Sequence, residues 1–235
     1  MNAEKIKLLA LPYAGGSVAA YLPMKKYLKN YIEFIPMEYP GRGSRRGVRF
    51  YESIEEAARD TAERASSIDG QYAIFGHSLG GLIGYEACRL LAKMGNRMPL
   101  HLFISGKQPP HIKLREKEIH RLPDHEFRDK ILEMGGTPDG VLDHPELAEY
   151  YLPILRADFM ISEKYVFKRT QPPLSINLTV LGGDQDEIKP LHLAAWKDYI
   201  AGEFKVVMLS GDHFFINHNF EAVAEIINHT IRGKR

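Results

Sequence analysis

An α/β fold with a mainly parallel central sheet, flanked by helices on both faces, is predicted for this chain of 235 residues by three observations. Short apolar runs alternate with helix-patterned segments over most of the length. Several of those runs stop in loops rich in glycine, proline or aspartate, which suits the carboxyl ends of parallel strands. One long interval is helical throughout and reads as an insertion into the alternation.

Ile6 to Leu11 is a compact apolar run ending at Pro12, followed by Tyr13-Ala14-Gly15-Gly16-Ser17, so it reads as a buried strand opening into a glycine loop. A helix should follow, with Ser17 as its cap and Pro23 disturbing its start. Phe34 to Met37 is a second short strand, closed by Tyr39-Pro40-Gly41-Arg42-Gly43. Ser53-Ile54-Glu55-Glu56 has capping-box spacing and starts a helix running to about Ser67. Tyr72-Ala73-Ile74-Phe75 is a strand, and Leu82 to Leu91 is a helix. Leu100 to Ile104, Leu178 to Leu181 and Phe204 to Leu209 are further strands, the last two separated by a helix through Ala194, Trp196 and Tyr199. Asn219 to Ile231 closes the chain as a helix. Strands joined through helices require right-handed crossovers, hence parallel pairing.

Pro109 to Lys168 has helical segments at Asp124 to Met134 and Pro145 to Glu163, with breakers at Gly135-Gly136-Thr137-Pro138. Its expected place is over the carboxyl edge of the sheet, as a lid; the alternative is a surface elaboration with no gating role. One domain, residues 1–235, with this insertion at 109–168 is the expected organisation. A hydrophobic fraction of 44% suffices for its core.

The 31 basic and 30 acidic side chains leave a net charge of +1, so no whole-protein field attracts nucleic acid or an anionic membrane. A single cysteine, Cys88, excludes an intrachain disulfide and a cysteine-only metal site. Met1 to Lys7 carries no apolar signal region, and no long uninterrupted apolar run follows. A soluble cytoplasmic protein is therefore expected.

Gly76-His77-Ser78-Leu79-Gly80 lies directly between a strand and a helix, the setting of a nucleophile elbow. A serine hydroxyl is weakly nucleophilic at neutral pH and needs a base and an oxyanion site beside it. Hydrolases with this elbow place an acid and then a histidine later in the chain. Leu181-Gly182-Gly183-Asp184-Gln185-Asp186 runs from a strand into an acidic turn, and Asp186 is the chosen acid, with Asp184 more suited to bracing the turn. Of His192, His213, His218 and His229, His213 follows the strand ending at Leu209 and is the chosen base, with His218 as runner-up. The backbone N–H of Leu79, opening the helix, is one oxyanion donor; Ala14 is assigned as the second, with Tyr13 next.

Gly41 to Gly47 fits neither dinucleotide nor P-loop spacing, so its arginines are read as loop structure or surface charge. His77 lies on the wrong side of the serine to be its base and reads as a structural neighbour. The mixed charge run Lys113 to Arg121 reads as a solvated face, or one that meets an acidic partner. Neither H-E-x-x-H nor paired cysteines occur, so no metal is expected.

Leu11-Pro12-Tyr13-Ala14-Gly15-Gly16-Ser17, Pro40-Gly41-Arg42-Gly43, Gly76-His77-Ser78-Leu79-Gly80-Gly81, Gly183-Asp184-Gln185-Asp186 and Gly211-Asp212-His213-Phe214 together resemble the type II thioesterases of nonribosomal peptide and polyketide synthesis. The resemblance spans nearly the whole chain and includes the helical insertion. It implies an α/β-hydrolase fold and removal, in trans, of stalled or mis-primed acyl and aminoacyl groups held on the phosphopantetheine arm of carrier proteins. It carries the triad onto Ser78, Asp186 and His213 and needs no cofactor beyond the substrate's own phosphopantetheine; a monomer is expected. Leu79 stands where many relatives carry methionine, which leaves the backbone donor unaffected. A lipase or carboxylesterase, acyl transfer to an acceptor other than water, and a non-catalytic binding module remain as competing readings.

Overall fold

A computed structural model of the chain describes residues 4–114, 118–137, 140–168 and 172–232. Six strands, β1 (Ile6–Leu11), β2 (Ile32–Pro36), β3 (Tyr72–His77), β4 (Leu102–Ser105), β5 (Leu178–Gly183) and β6 (Phe204–Leu209), form one parallel sheet in the order β2-β1-β3-β4-β5-β6. Helices α1 (Leu22–Lys25), α2 (Ile54–Ser66), α3 (Leu79–Met94), α4 (Asp124–Met134), α5 (Pro145–Lys164), α6 (Pro190–Ala194) and α7 (Phe220–Arg232) complete it. The fold is that of the α/β-hydrolases.

The strands read as continuous apolar runs because both faces are buried. Along β1, Leu9 and Leu11 enter the layer shared with α2, α3 and Trp196, while Ile6, Leu8 and Ala10 enter the layer shared with α1 and α7. Tyr72 and Ile74 against Ala73 and Phe75 repeat that division in β3. Each central strand thereby joins two cores, and its carboxyl end is held in register with its neighbours.

Local chemistry sets the element ends. Ser53 Oγ accepts the Glu56 N–H at 3.1 Å to open α2, while the Glu56 carboxylate reaches back one residue further than in a standard capping box, to the Glu52 N–H at 2.8 Å. The second strand starts at Ile32 rather than Phe34, and Pro36 is tolerated in it because β2 is an edge strand. Pro23 sits in the first turn of α1, where no N–H is needed, and the short helix is preceded by a 3-10 turn at Val18–Tyr21. The helix predicted through Trp196 and Tyr199 is split, α6 tightening into a 3-10 turn at Ala195–Tyr199 while Trp196 Nε1 donates to Lys107 O at 2.8 Å.

Between β4 and β5, α4 and α5 form a helical cap with its own small core of Ile119, Phe127, Ile131, Leu142 and Leu155. Pro153 lies inside α5 and removes one rung of its hydrogen-bond ladder. The far end of α5 is tied to α3: Tyr165 Oη donates to Glu86 Oε1 at 2.5 Å, and Arg89, bidentate on Glu86, also donates to Lys168 O at 2.9 Å. Within the run Lys113 to Arg121, those two end residues are exposed, but Ile119 and His120 turn inward, with His120 Nδ1 at 2.5 Å from Glu163 Oε2. Residues 115–117 of that run, and Pro138 among the predicted breakers, lie outside the described residues.

Candidate active site

Strand order reverses between β1 and β3, since β2 lies on one side of β1 and the later strands on the other. Connections leaving these two strands diverge to opposite faces and open a crevice at the carboxyl edge. Leu11 pairs with Gly76 across that point, so the loop after β1 and the turn after β3 face each other.

Ser78 occupies the turn with φ 51° and ψ −112°, the sole positive φ outside glycine among the described residues. Such a conformation costs on the order of 1–3 kcal/mol and persists only where surroundings impose it. The glycines are what allow it. A Cβ on Gly76 would come within 2.2 Å of Gly80 O, and one on Gly80 within 2.1 Å of Leu11 O. Ser78 N–H donates to Ser105 O at 2.7 Å, fastening the turn to β4.

The acid and histidine loops leave β5 and β6. A Cβ on Gly183 would meet Asp212 O at 2.3 Å, so this glycine lets the two loops touch. Asp184 Oδ1 accepts the Gly211 N–H at 2.9 Å and thereby holds the histidine loop. Asp186 is the carboxylate that reaches the imidazole: its Oδ2 is 2.9 Å from His213 Nδ1, and Oδ1 accepts the Ile188 N–H at 3.2 Å. His213 Nε2 lies 3.0 Å from Ser78 Oγ. With the ring proton on Nδ1 donated to Asp186, Nε2 is free to accept the Ser78 proton. The other histidines stand elsewhere: His192 on α6, His218 at the end of the 3-10 turn Phe215–His218, and His229 on α7.

Leu79 opens α3, where the first N–H groups have no helical acceptor, and Ala14 lies in the loop after β1; both line the same cavity as Ser78 and His213. That cavity measures about 870 Å³, and Ile131, Met134, Tyr151, Leu155 and Phe159 of the cap close it from above. Gly136, at φ 82°, packs directly on Phe214, the residue after His213.

His77 is fully buried, with Nδ1 at 2.8 Å from Ser105 Oγ and its ring centroid 5.3 Å from that of His213. Burial, and secondarily the charge of His213, hold its pKa well below the ordinary 6.5. His77 therefore stays neutral. Below about pH 6.5 the unfolded chain binds a proton that folded His77 refuses, so stability falls with acidification by up to about 1.4 kcal/mol per pH unit. A His77→Asn variant is expected to show a flatter melting-temperature profile than wild type between pH 6.5 and 5; parallel profiles would remove this assignment.

Sequence reasoning missed Asp158. It sits on α5, 3% exposed, and binds Arg42 of the Pro40-Gly41-Arg42-Gly43 loop, itself 2% exposed, through two contacts of 2.7 Å. A signal existed: Asp158 interrupts the inward-facing helical spacing Ile154, Leu155, Ile161. Arg42 thus builds loop structure, as does Arg45 on Asp60 at 2.7 Å, whereas Arg46 and Arg49 are exposed.

Among the described residues no cluster of histidine, cysteine, aspartate or glutamate could hold a metal ion, and no helix is long and apolar enough to cross a membrane. A family model described as "Thioesterase domain" matches residues 6–231. Linear gramicidin dehydrogenase LgrE of Brevibacillus parabrevis is 35% identical over 99% of this chain and 90% of its own. Among solved structures, ClbQ from the colibactin NRPS/PKS pathway superposes with a TM-score of 0.92 at 34% identity, covering 98% of both chains. YbtT, a type II thioesterase from the yersiniabactin NRPS/PKS pathway, gives a TM-score of 0.86 at 28% identity over 97% of this chain and 93% of its own.

Proposed function

The chain belongs to the thioesterase family, and from that premise we propose that it hydrolyses acyl and aminoacyl thioesters from the phosphopantetheine arms of carrier proteins in nonribosomal peptide or polyketide assembly. The observation that carries this reading is the whole-length likeness to ClbQ and YbtT. Its chemical support is a serine, histidine and carboxylate joined by hydrogen bonds at the floor of a capped, largely apolar cavity.

In the proposed reaction His213 Nε2 accepts the Ser78 proton as Oγ attacks the thioester carbonyl, and Asp186 stabilises the imidazolium. The tetrahedral oxyanion takes the N–H groups of Leu79 and Ala14. Collapse breaks the C–S bond, and His213 returns the proton to the pantetheine sulfur. Water then repeats the cycle on the acyl-serine, releasing a carboxylic acid and restoring Ser78. Apart from water, every catalytic group in the cycle is the protein's own, and the cycle calls on no metal or cofactor; phosphopantetheine arrives with the substrate. Residues 109–168 act as the lid of a single catalytic unit. The enzyme works as a monomer in the cytoplasm, without nucleic acid or membrane, alongside the synthetase it clears.

The Brevibacillus relative is named a dehydrogenase. Here the loop after β1 reads Tyr13-Ala14-Gly15-Gly16-Ser17, without the glycine spacing of a dinucleotide site, and hydride transfer finds no support. The decisive assay compares one acyl group presented on holo carrier protein, on coenzyme A and as a simple oxygen ester. The carrier-bound form is expected to give the highest kcat/KM; an equal or higher value for the oxygen ester would favour a carboxylesterase instead.

A further inference from the structure

We propose that Asp158 and Arg42 are positioning residues that set the oxyanion loop, so that one carboxylate on the cap helix α5 holds both the cap and the catalytic backbone. The inference rests on the serine-thioesterase reading above, with Ala14 as an oxyanion donor.

Asp158 Oδ2 accepts from two partners: Arg42 Nη1 at 2.7 Å and the backbone N–H of Gly15 at 2.8 Å. Its Oδ1 takes Arg42 Nη2 at 2.7 Å. Arg42 also reaches the loop, donating from Nη1 to Gly16 O at 3.0 Å, while Nε donates to Pro40 O at 3.4 Å. The segment after β1 is therefore gripped by Asp158 through the Gly15 N–H and by Arg42 through the Gly16 carbonyl. Gly16 N–H closes the turn back onto Tyr13 O at 2.9 Å. Ala14 lies inside that turn: its N–H shares a peptide plane with the Tyr13 carbonyl that Gly16 holds, and the next peptide, Ala14–Gly15, is fixed by the N–H that Asp158 accepts.

The approach is close. Gly15 has φ 78°, and a Cβ there would lie 2.4 Å from Leu155 Cδ2, so α5 packs on bare backbone at this point. Both side chains of the pair are almost fully buried, where an ion pair between two isolated groups adds little stability over apolar residues of similar size. A pair placed only to hold the cap would not need to reach the Gly15 and Gly16 backbone. Oxyanion donors do need such placement, because a displacement of about 1 Å costs about 100-fold in rate.

Two variants separate positioning from stability. Arg42→Met with Asp158→Leu removes both charges and the Gly15 acceptor. Asp158→Asn keeps an oxygen for the Gly15 N–H but leaves the Arg42 charge buried and uncompensated. The double variant is expected to melt higher than Asp158→Asn and yet to have the lower kcat, about 100-fold below wild type, with KM little changed. Its affinity for a trifluoromethyl ketone analogue of acyl-pantetheine, which forms a tetrahedral oxyanion on Ser78, should fall by the same factor. Activity that follows melting temperature across the two variants, wild-type kcat in the double variant, or a loss confined to KM would overturn the proposal. Should the double variant not fold, Asp158→Leu, which removes the Gly15 acceptor, is compared with Asp158→Asn, which keeps one: a lower kcat and ketone affinity in Asp158→Leu supports the proposal, and equal kcat in the two or a change in KM only overturns it. A wild-type protein that hydrolyses no thioester would instead remove the underlying reading, and the inference with it.

Discussion

Ser78→Ala is expected to lower kcat for thioester hydrolysis by about 10⁶-fold, the scale seen when a serine nucleophile is removed from a hydrogen-bonded triad. Neither Ser105 nor Ser17 can substitute. Ser105 Oγ is buried against His77 Nδ1, and Ser17 Oγ accepts the Ala19 N–H in the next turn of chain. Alanine keeps the Cβ and the positive φ of the elbow, and the serine side chain makes one hydrogen bond there, to His213, so the melting temperature should stay close to wild type. Steady-state turnover and intact-protein mass are the readouts. Wild type incubated with an acyl thioester should show a transient mass gain of one acyl group that the variant lacks, and turnover near wild type in the variant would end the serine mechanism.

Asp186→Asn should cost about 10⁴-fold in kcat, through the histidine rather than through the fold. Its carboxylate receives the His213 Nδ1 proton at 2.9 Å, which leaves Nε2 without a proton and able to take one from Ser78. An asparagine amide turned toward the ring favours the other tautomer, with the proton on Nε2 facing the nucleophile. Asp184→Asn is the control, because its amide oxygen can still accept the Gly211 N–H. Its kcat should fall by no more than about tenfold, given that bonds to neutral acceptors are roughly half as strong as charged ones. Equal or reversed losses in the two variants would move the acid to Asp184.

The contrast between these carboxylates shows what was legible before any coordinates. Both lie within a few residues of the end of β5, and strand ends are readable from apolar runs stopping at glycine. Ser78, Asp186 and His213 could be ordered along one sheet edge for that reason. Arg42 and Asp158 could not, because their meeting depends on how a 20-residue helix lies across the sheet, which no local pattern encodes. The helical character of α4 and α5 was readable from periodicity; their docking was not, since Gly136 on Phe214 and Gly15 on Leu155 are contacts between distant segments. Strand limits moved where tertiary pairing overrode composition, as at Ile32 of β2, whose start is fixed by its partner Ile6.

Pro153 divides α5 into two stretches with different obligations. The part after it carries Asp158 and leads to Tyr165, both bound to the catalytic body. The part before it places Tyr151 against the cap's own core beside Leu142, while Tyr150 Oη accepts the Gly43 N–H at 3.4 Å. Heritable change therefore falls unequally on the two halves. Substitutions at Tyr151 and at Ile131 and Met134 of α4 reshape the acyl chamber while leaving the oxyanion backbone in place, so a lineage can acquire new acyl groups without having to rediscover the chemistry that releases them.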